Sequence, residues 1–191
     1  IPQDSINDVC VIDPSDMQHP VSWNPLQNVD PTFKHQLAQS LIEVLSKQFA
    51  HSWTPRLEQV FRFTLLALLD YPEATLHGMI EMLSEQEYRD KVIPHIEDTM
   101  VKHFWSTEFS DWSEKFHTDT IIPLLNKLGQ FLGNPMLRNI FNQHENKIDL
   151  EQLMNQKKIV LINLARGKIG EENASLLGGL FLAKVKRAGM R

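Results

Sequence analysis

The sequence of 191 residues lacks the features that would assign it to several specialised classes. Cys10 is its only cysteine, so no internal disulfide can form and a reducing, cytosolic setting is favoured. No apolar run approaches the roughly 20 residues that a membrane-spanning helix needs, and no signal-peptide pattern occurs. Lysine and arginine total 19 against 24 aspartate and glutamate residues, a net charge of -5. This balance argues against a chain that by itself grips nucleic acid through its phosphates.

Motifs for common catalytic chemistry are missing as well. The chain has no Gly-x-x-x-x-Gly-Lys-Ser/Thr loop to cradle phosphates and no apolar strand that ends in adjacent acidic residues. It also has no Gly-x-Ser-x-Gly turn for a serine hydrolase. The eight histidines do not fall at the spacing of a zinc-binding pair. We therefore predict no catalytic residue, no metal site and no cofactor for this chain alone.

The most informative stretch is 157–191. The apolar, β-branched run Ile159–Ile162 predicts a strand buried on both faces. A short charged loop with two glycines follows. The acidic side chains of Glu171 and Glu172 then suit the positive N-terminal end of a helix that starts there. The order of strand, glycine-containing loop and helix predicts one half of a parallel βαβ unit.

Arg166, Lys168 and Gly170 in that loop are candidate functional residues. A charged loop after a parallel strand lies at the edge where α/β sheets bind ligands, and the N-terminus of the next helix can hold an anion. One interpretation places Arg166 or Lys168 against a phosphate or against the next subunit of a ring. The other interpretation is that both are solvated charges and that the glycines only make the turn.

A second strand is predicted near the start of the chain, over Val9–Ile12. Asp13 follows it, and the proline after Asp13 lacks a backbone donor and should end the strand. Asp13 and Asp16 are either polar groups near a nucleotide or subunit boundary, or turn and cap residues. Three X-Pro pairs then predict an extended segment that Trp23 and Leu26 hold to the core.

The stretch from Asp30 to Gln156 is predicted to be all helical, because apolar residues recur every three or four positions. The first helix should end near His51, and Thr75 should cap a shorter one. Pro123 leaves open whether the pattern around it is one kinked helix or two. The predicted helix starts are Asp30, Thr54, Thr75, Ser84, Pro94, Trp112, Ile121, Pro135 and Asp149.

Two stretches resemble one family of P-loop ATPases. INLARGKIGEENASLLGGLFLAKV resembles the strand, Gly-Lys-Ile-Gly loop and small-residue helix between the two nucleotide-binding motifs of type IV secretion and conjugative DNA-transfer ATPases. These are the TraG/TraD-like members of the HerA and FtsK class of ring motors. DVCVIDPSDMQHPVSWNPL resembles that family's strand ending in Asp-Pro, with the His-Pro and Asn-Pro-Leu that follow it. The helical middle is only loosely similar.

The resemblance implies a mainly α fold, with an all-helical domain at 30–156 inserted between partial α/β segments of a RecA-like P-loop core at 1–29 and 157–191. The chain starts at Ile1 without a methionine, and it stops at Arg191 after a helix with no clear stop signal. We expect it to be an internal fragment, with the first nucleotide-binding motif upstream and the second downstream. Such a fragment would not hydrolyse ATP alone.

For the parent protein, the resemblance implies a cytoplasmic homo-hexamer that binds ATP and Mg²⁺ and transfers DNA or protein–DNA substrates in conjugation or type IV secretion. Secretion-system proteins would be its partners, and any tether to the inner membrane would lie outside these residues. The helical domain would serve substrate or partner recognition.

A free-standing helical protein-interaction module without ATPase activity is the alternative. A stable monomer should not leave two short strands with unpaired edges. Self-association or low solubility of the isolated chain would therefore favour the fragment.

Overall fold

The computed structural model describes residues 3–27, 29–49, 53–143 and 146–189. The predictions that involve Ile1, His51, His144 and Arg191 fall outside the described residues. These include the predicted end of the first helix near His51.

The fold is mainly α, as predicted, with two short strands near the ends of the chain. Strands β1 (Val9–Ile12) and β2 (Ile159–Ile162) pair with each other. The helices are α1 Lys34–Gln48, α2 Pro55–Leu69, α3 Gly78–Ser84, α4 Gln86–Val92, α5 Thr99–His103, α6 Glu114–Phe116, α7 Ile122–Leu132, α8 Pro135–Phe141, α9 Leu150–Asn155, α10 Arg166–Ile169 and α11 Glu171–Ala188. Within the described ranges, none of the helices combines the length and apolar character needed to cross a lipid bilayer.

Side-chain caps begin many of these helices. Four side chains at or next to predicted helix starts accept a hydrogen bond from a first-turn backbone N–H, namely Asp30, Thr54, Asn134 and Asp149. Asp30 starts a 3₁₀ turn that leads into α1 rather than the α-helix itself. The prediction for Thr75 is wrong, because α3 begins only at Gly78 and no side chain caps it.

Two helical stretches contain wider turns that the sequence pattern does not predict. Helix α5 runs directly into a π-helix over Phe104–Glu108, and α6 runs through a π-helix over His117–Ile121 into α7. Pro123 lies at the second position of α7, just after that second wide turn. Because proline lacks an N–H and clashes with the preceding turn of an α-helix, a widened turn is a natural way to accommodate it. The pattern around Pro123 is thus one continuous helical run.

The core centres on α2, whose broad apolar face is buried as predicted. Helices α1, α3 and α5 pack around it. Trp23 and Leu26 are buried, and the Trp23 ring stacks on Phe181 of α11 with 4.3 Å between ring centroids. The extended segment after β1 is therefore held to the core by the two predicted residues. Trp105 is buried, and Trp53 and Trp112 are half-buried against the same core.

The strands are parallel, with Val9 opposite Ile159. One face packs on the core and carries Cys10, Ile12, Val160 and Ile162. We call the other the outer sheet face, formed by Val9, Val11, Ile159 and Leu161. Its side chains at positions 11, 159 and 161 are 65%, 39% and 43% exposed. The prediction that β2 is buried on both faces is therefore wrong. An apolar run indicates a strand that is suited to burial on both faces. It does not indicate whether this chain contains the layers that would cover both faces.

Candidate functional site

The carboxyl ends of the two strands meet at one edge of the sheet, because the strands are parallel. Asp13 follows β1 and Asn163 follows β2. The Asn163 backbone N–H donates to the Ile12 carbonyl oxygen at 2.9 Å, and its side-chain Nδ2 donates to Asp13 Oδ2 at 3.0 Å. Two segments about 150 positions apart in the sequence thus converge at the edge where open α/β sheets bind ligands.

Asp13 is held by its own turn. Its Oδ1 accepts hydrogen bonds from the Ser15 backbone N at 2.9 Å and from Ser15 Oγ at 2.6 Å. These bonds from Ser15, together with the one from Asn163 and the charge of Lys168, hold the pKa of Asp13 below its ordinary value. Asp16 Oδ1 likewise accepts from two backbone N–H groups in the following turn. Both aspartates therefore make turns, as the second of the two interpretations of Asp13 and Asp16 predicts.

The predicted loop at Arg166–Gly170 is instead one helical turn, α10, followed by a glycine. Ile169 is buried and pins this turn to the core. Gly170 has φ of +83°, a left-handed conformation that favours glycine, and it separates α10 from α11. Gly170 thus makes a turn, as the second interpretation of this loop has it, and the predicted loop contains one helical turn that Ile169 holds to the core.

The two candidate cations have different surroundings. Arg166 Nη1 lies 2.9 Å from Glu171 Oε1, and both side chains are about three-quarters exposed. Lys168 is exposed, and within the described part of the chain its side chain has no hydrogen bond or ion pair. The charge of Lys168 also contributes to the lowered pKa of Asp13, so this cation acts electrostatically on the end of β1. Arg166 thus has an anionic partner within the fold, whereas Lys168 has none among the described residues.

We call Asp13, Asn163 and Lys168 the strand-end site. It presents a carboxylate, an amide and an ammonium group to solvent, next to the N-terminus of α11. Such an arrangement can contact a phosphate or a neighbouring subunit. Asn163 and Ser15 were not predicted as site residues. The Asp-Pro-Ser turn and the amide after β2 were the signals that could have identified them.

In the described ranges, no three His, Cys, Asp or Glu side chains come together as a metal site would require. A scan against protein-family models, a search of curated proteins and a search of solved structures each return no match for this chain.

Proposed function

We propose that this chain is an internal part of an ATP-driven ring motor that transfers DNA or protein–DNA substrates in conjugation or type IV secretion. The segments 1–29 and 157–191 would belong to a RecA-like nucleotide-binding core, and 30–156 would form a helical domain for substrate or partner recognition. ATP and Mg²⁺ would be bound in the parent homo-hexamer by motifs outside these residues. The observation that carries the proposal is the parallel pairing of β1 with β2.

The pairing supports the proposal because it joins the two stretches that resemble the ATPase family. Neighbouring parallel strands need a long crossover connection, and here all of α1 to α9 lies between them. Two strands of four residues make a smaller sheet than stable domains usually contain. Parallel sheets are normally covered on both faces, whereas the outer sheet face is bare. A larger sheet in the parent protein would add the strands that stable domains usually have, and the surrounding core would cover the outer sheet face.

The distribution of exposed apolar side chains also supports a larger core around the end segments. Of the ten large hydrophobic side chains exposed among the described residues, seven lie outside 30–156. These are Ile6, Val11, Met17, Ile159, Leu161, Leu182 and Val185. Helix α11 buries Leu177 and Phe181 on one side and exposes Leu182 on another. A helix that is apolar around most of its surface is typical of one buried between layers.

The alternative is a free-standing helical interaction module. The packing of α1, α3 and α5 around a buried α2 favours it, because the helical stretch has a core of its own. The exposed apolar surface of the end segments has no role in that alternative. We therefore favour the motor fragment.

Within the proposal, Lys168 contacts a nucleotide phosphate or the next subunit and so links the nucleotide state to the ring. Its position near Asp13 at the strand ends, and the lack of any other described partner for its ammonium group, support this role.

The first test is calorimetric titration of Mg-ATP into the 191-residue chain and into a longer version extended in both directions until it includes a P-loop and an acidic strand-end motif. We expect binding by the longer version only. Micromolar binding by the 191-residue chain itself would contradict the proposal, as would a lack of both motifs in the flanking sequence.

The second test is Lys168→Ala in the longer protein. We expect lower ATPase activity or impaired ring assembly, measured by phosphate release and by sedimentation. Lys115→Ala removes an equally exposed lysine from the helical stretch and serves as the matched control. Unchanged ATPase activity and unchanged assembly of the Lys168 variant would refute its role while leaving the fragment assignment intact.

A further inference from the structure

A cavity of about 440 Å³ opens beside α1, where α2 and α11 approach it. Its volume lies within the range of small-molecule sites, and such sites often form where separate parts of a fold meet. Apolar side chains of Phe33, Leu37 and Ala183 line part of it. The cavity lies away from the strand-end site and includes none of its residues.

Three side chains of the cavity wall, Gln39, Glu43 and Arg62, belong to a hydrogen-bonded network that continues to Glu58 and Trp53 outside the lining. Arg62 Nη2 donates to Gln39 Oε1 at 2.8 Å and to Glu58 Oε1 at 2.9 Å, and Gln39 Nε2 donates to Glu43 Oε1 at 3.1 Å. Trp53 Nε1 donates to the other oxygen of Glu58 at 3.0 Å. These bonds, first that from Trp53 and then that from Arg62, hold the pKa of Glu58 below its ordinary value. The wall is thus ordered before any ligand arrives, which lowers the entropic cost of binding.

The contribution from α11 is Lys186, which lines the cavity beside Ala183. In the described ranges, no hydrogen bond or ion pair involves the Lys186 side chain. Among the charged side chains that line the cavity, Lys186 and Arg62 are cationic and Glu43 is anionic. Because Arg62 is already ion-paired with Glu58, Lys186 is the cation best able to attract an external anion.

We propose that this cavity binds a small organic anion with an apolar body. Phe33, Leu37 and Ala183 contact the apolar body, and Lys186 binds the anionic group. Glu43 opposes a second negative charge, so a monoanion is preferred over a dianion. The site shares α11 with the proposed nucleotide-binding core, but it needs no residue outside this chain and can be tested on the 191-residue chain alone.

The test is a fluorescence titration of the 191-residue chain with 8-anilinonaphthalene-1-sulfonate, an aromatic monoanion that fluoresces in apolar surroundings. We expect Lys186→Gln to weaken its binding by about threefold to fivefold and Glu43→Gln to strengthen it by a similar factor, since exposed charge pairs have effects of this size. Lys115→Gln, far from the lining residues in sequence, should leave binding unchanged. Circular dichroism checks that each variant is folded. Equal binding by the Lys186 and Glu43 variants and the unaltered chain would refute the site.

A competition series identifies the ligand chemistry. Octanoate and octyl phosphate should displace the probe, octanoate more effectively, whereas octylamine of the same chain length should not. Displacement by octylamine as strong as by octanoate would refute the preference for an anion. Probe bound at the outer sheet face would be lost in a Val11→Thr, Leu161→Thr double variant and would not respond to Lys186→Gln. That pattern would also overturn the proposal.

Discussion

Asp70 connects three parts of the helical stretch through one carboxylate. It contacts Lys34 Nζ and accepts a hydrogen bond from the Glu97 backbone N at 2.8 Å, and its side chain is only 6% exposed. Lys34 Nζ also lies 3.1 Å from Glu97 Oε2. Partial burial alone would lower the pKa of Lys34, but its hydrogen bonds with Asp70 and Glu97 outweigh burial and raise this pKa. The carboxylate thus ties the ends of α1 and α2 to the segment before α5.

We expect Asp70→Ala to lower the free energy of unfolding by about 2 kcal/mol, because it leaves a partly buried ammonium group and a backbone N–H without their acceptor. Urea denaturation at neutral pH measures the change. Asp119→Ala, at an exposed site, is the control and should stay within about 0.5 kcal/mol of the unaltered chain. Equal losses in the two variants would show that the Asp70 contacts contribute nothing specific.

The lowered pKa of Asp13 implies that this carboxylate contributes to the stability of the fold and that acid removes the contribution. A carboxyl group whose pKa is depressed in the folded state stabilises the fold above the pKa of the unfolded chain, and this contribution is lost as the pH falls through the folded-state pKa. Since the bond from the Ser15 hydroxyl is the largest cause and is lost in Ser15→Ala, this substitution should raise the pKa of Asp13 more than Asn163→Ala does. Carboxyl-carbon NMR titration of the three proteins checks the order. A larger effect of Asn163→Ala would contradict this account.

At the scale of secondary-structure elements, the contact between α3 and α4 depends on a glycine. A Cβ atom at Gly78 would overlap the hydroxyl oxygen of Tyr88 and would lie 3.1 Å from Tyr88 Cζ and 3.2 Å from Leu68 Cδ2. Burial of Tyr88 raises the pKa of its hydroxyl. The absence of a side chain at Gly78 therefore allows the Tyr88 ring to pack against the start of α3.

We expect Gly78→Ala to destabilise the protein by about 1–3 kcal/mol, the usual cost of overpacking. In a Tyr88→Phe background the atom that overlaps is absent, so the same substitution should cost less than about 1 kcal/mol there. A double-mutant cycle in urea gives the coupling between the two positions. Equal costs in both backgrounds would place the strain at Tyr88 Cζ, which phenylalanine keeps, or at Leu68 Cδ2.

At the scale of the whole molecule, the outer sheet face and the unpaired strand edges should make the isolated chain self-associate. We expect Val11→Thr with Leu161→Thr to reduce self-association, measured by sedimentation velocity over a concentration series. Threonine is β-branched and suits a strand, so stability should change little. Met100→Thr removes an equally exposed apolar side chain from the helical stretch and should leave association unchanged. A chain that is monomeric at all concentrations before substitution would favour the free-standing module.

Local patterns in the sequence were sufficient to predict many of the helices. The four-residue recurrence of apolar positions in α1 and the caps at Thr54 and Asn134 act within one or two turns, so they can be read without knowledge of the fold. The second π-helical turn was harder to predict from the sequence. Pro123 signalled a disturbance, but neighbouring packing decides whether a helix breaks, kinks or widens.

The strand-end site was only partly predictable. Asp13, Lys168 and Gly170 were identified because they follow apolar runs. The bonds of Asp13 with Asn163 and Ser15, and the pairing of Arg166 with Glu171, became visible only in the structure. The cavity beside α1 had no sequence signal, because its lining combines α1 and α2 with α11 from the other end of the chain.

The sequence by itself determined that the chain is mainly helical, where β1 and β2 lie, and that it contains no P-loop, because these properties depend on residues close together along the chain. The tertiary structure decided that the two strands pair in parallel, that one sheet face stays bare, and that Lys186 and Arg62 line one cavity. Those outcomes depend on contacts between residues separated by a hundred positions or more, and short-range residue periodicity carries no information about such contacts.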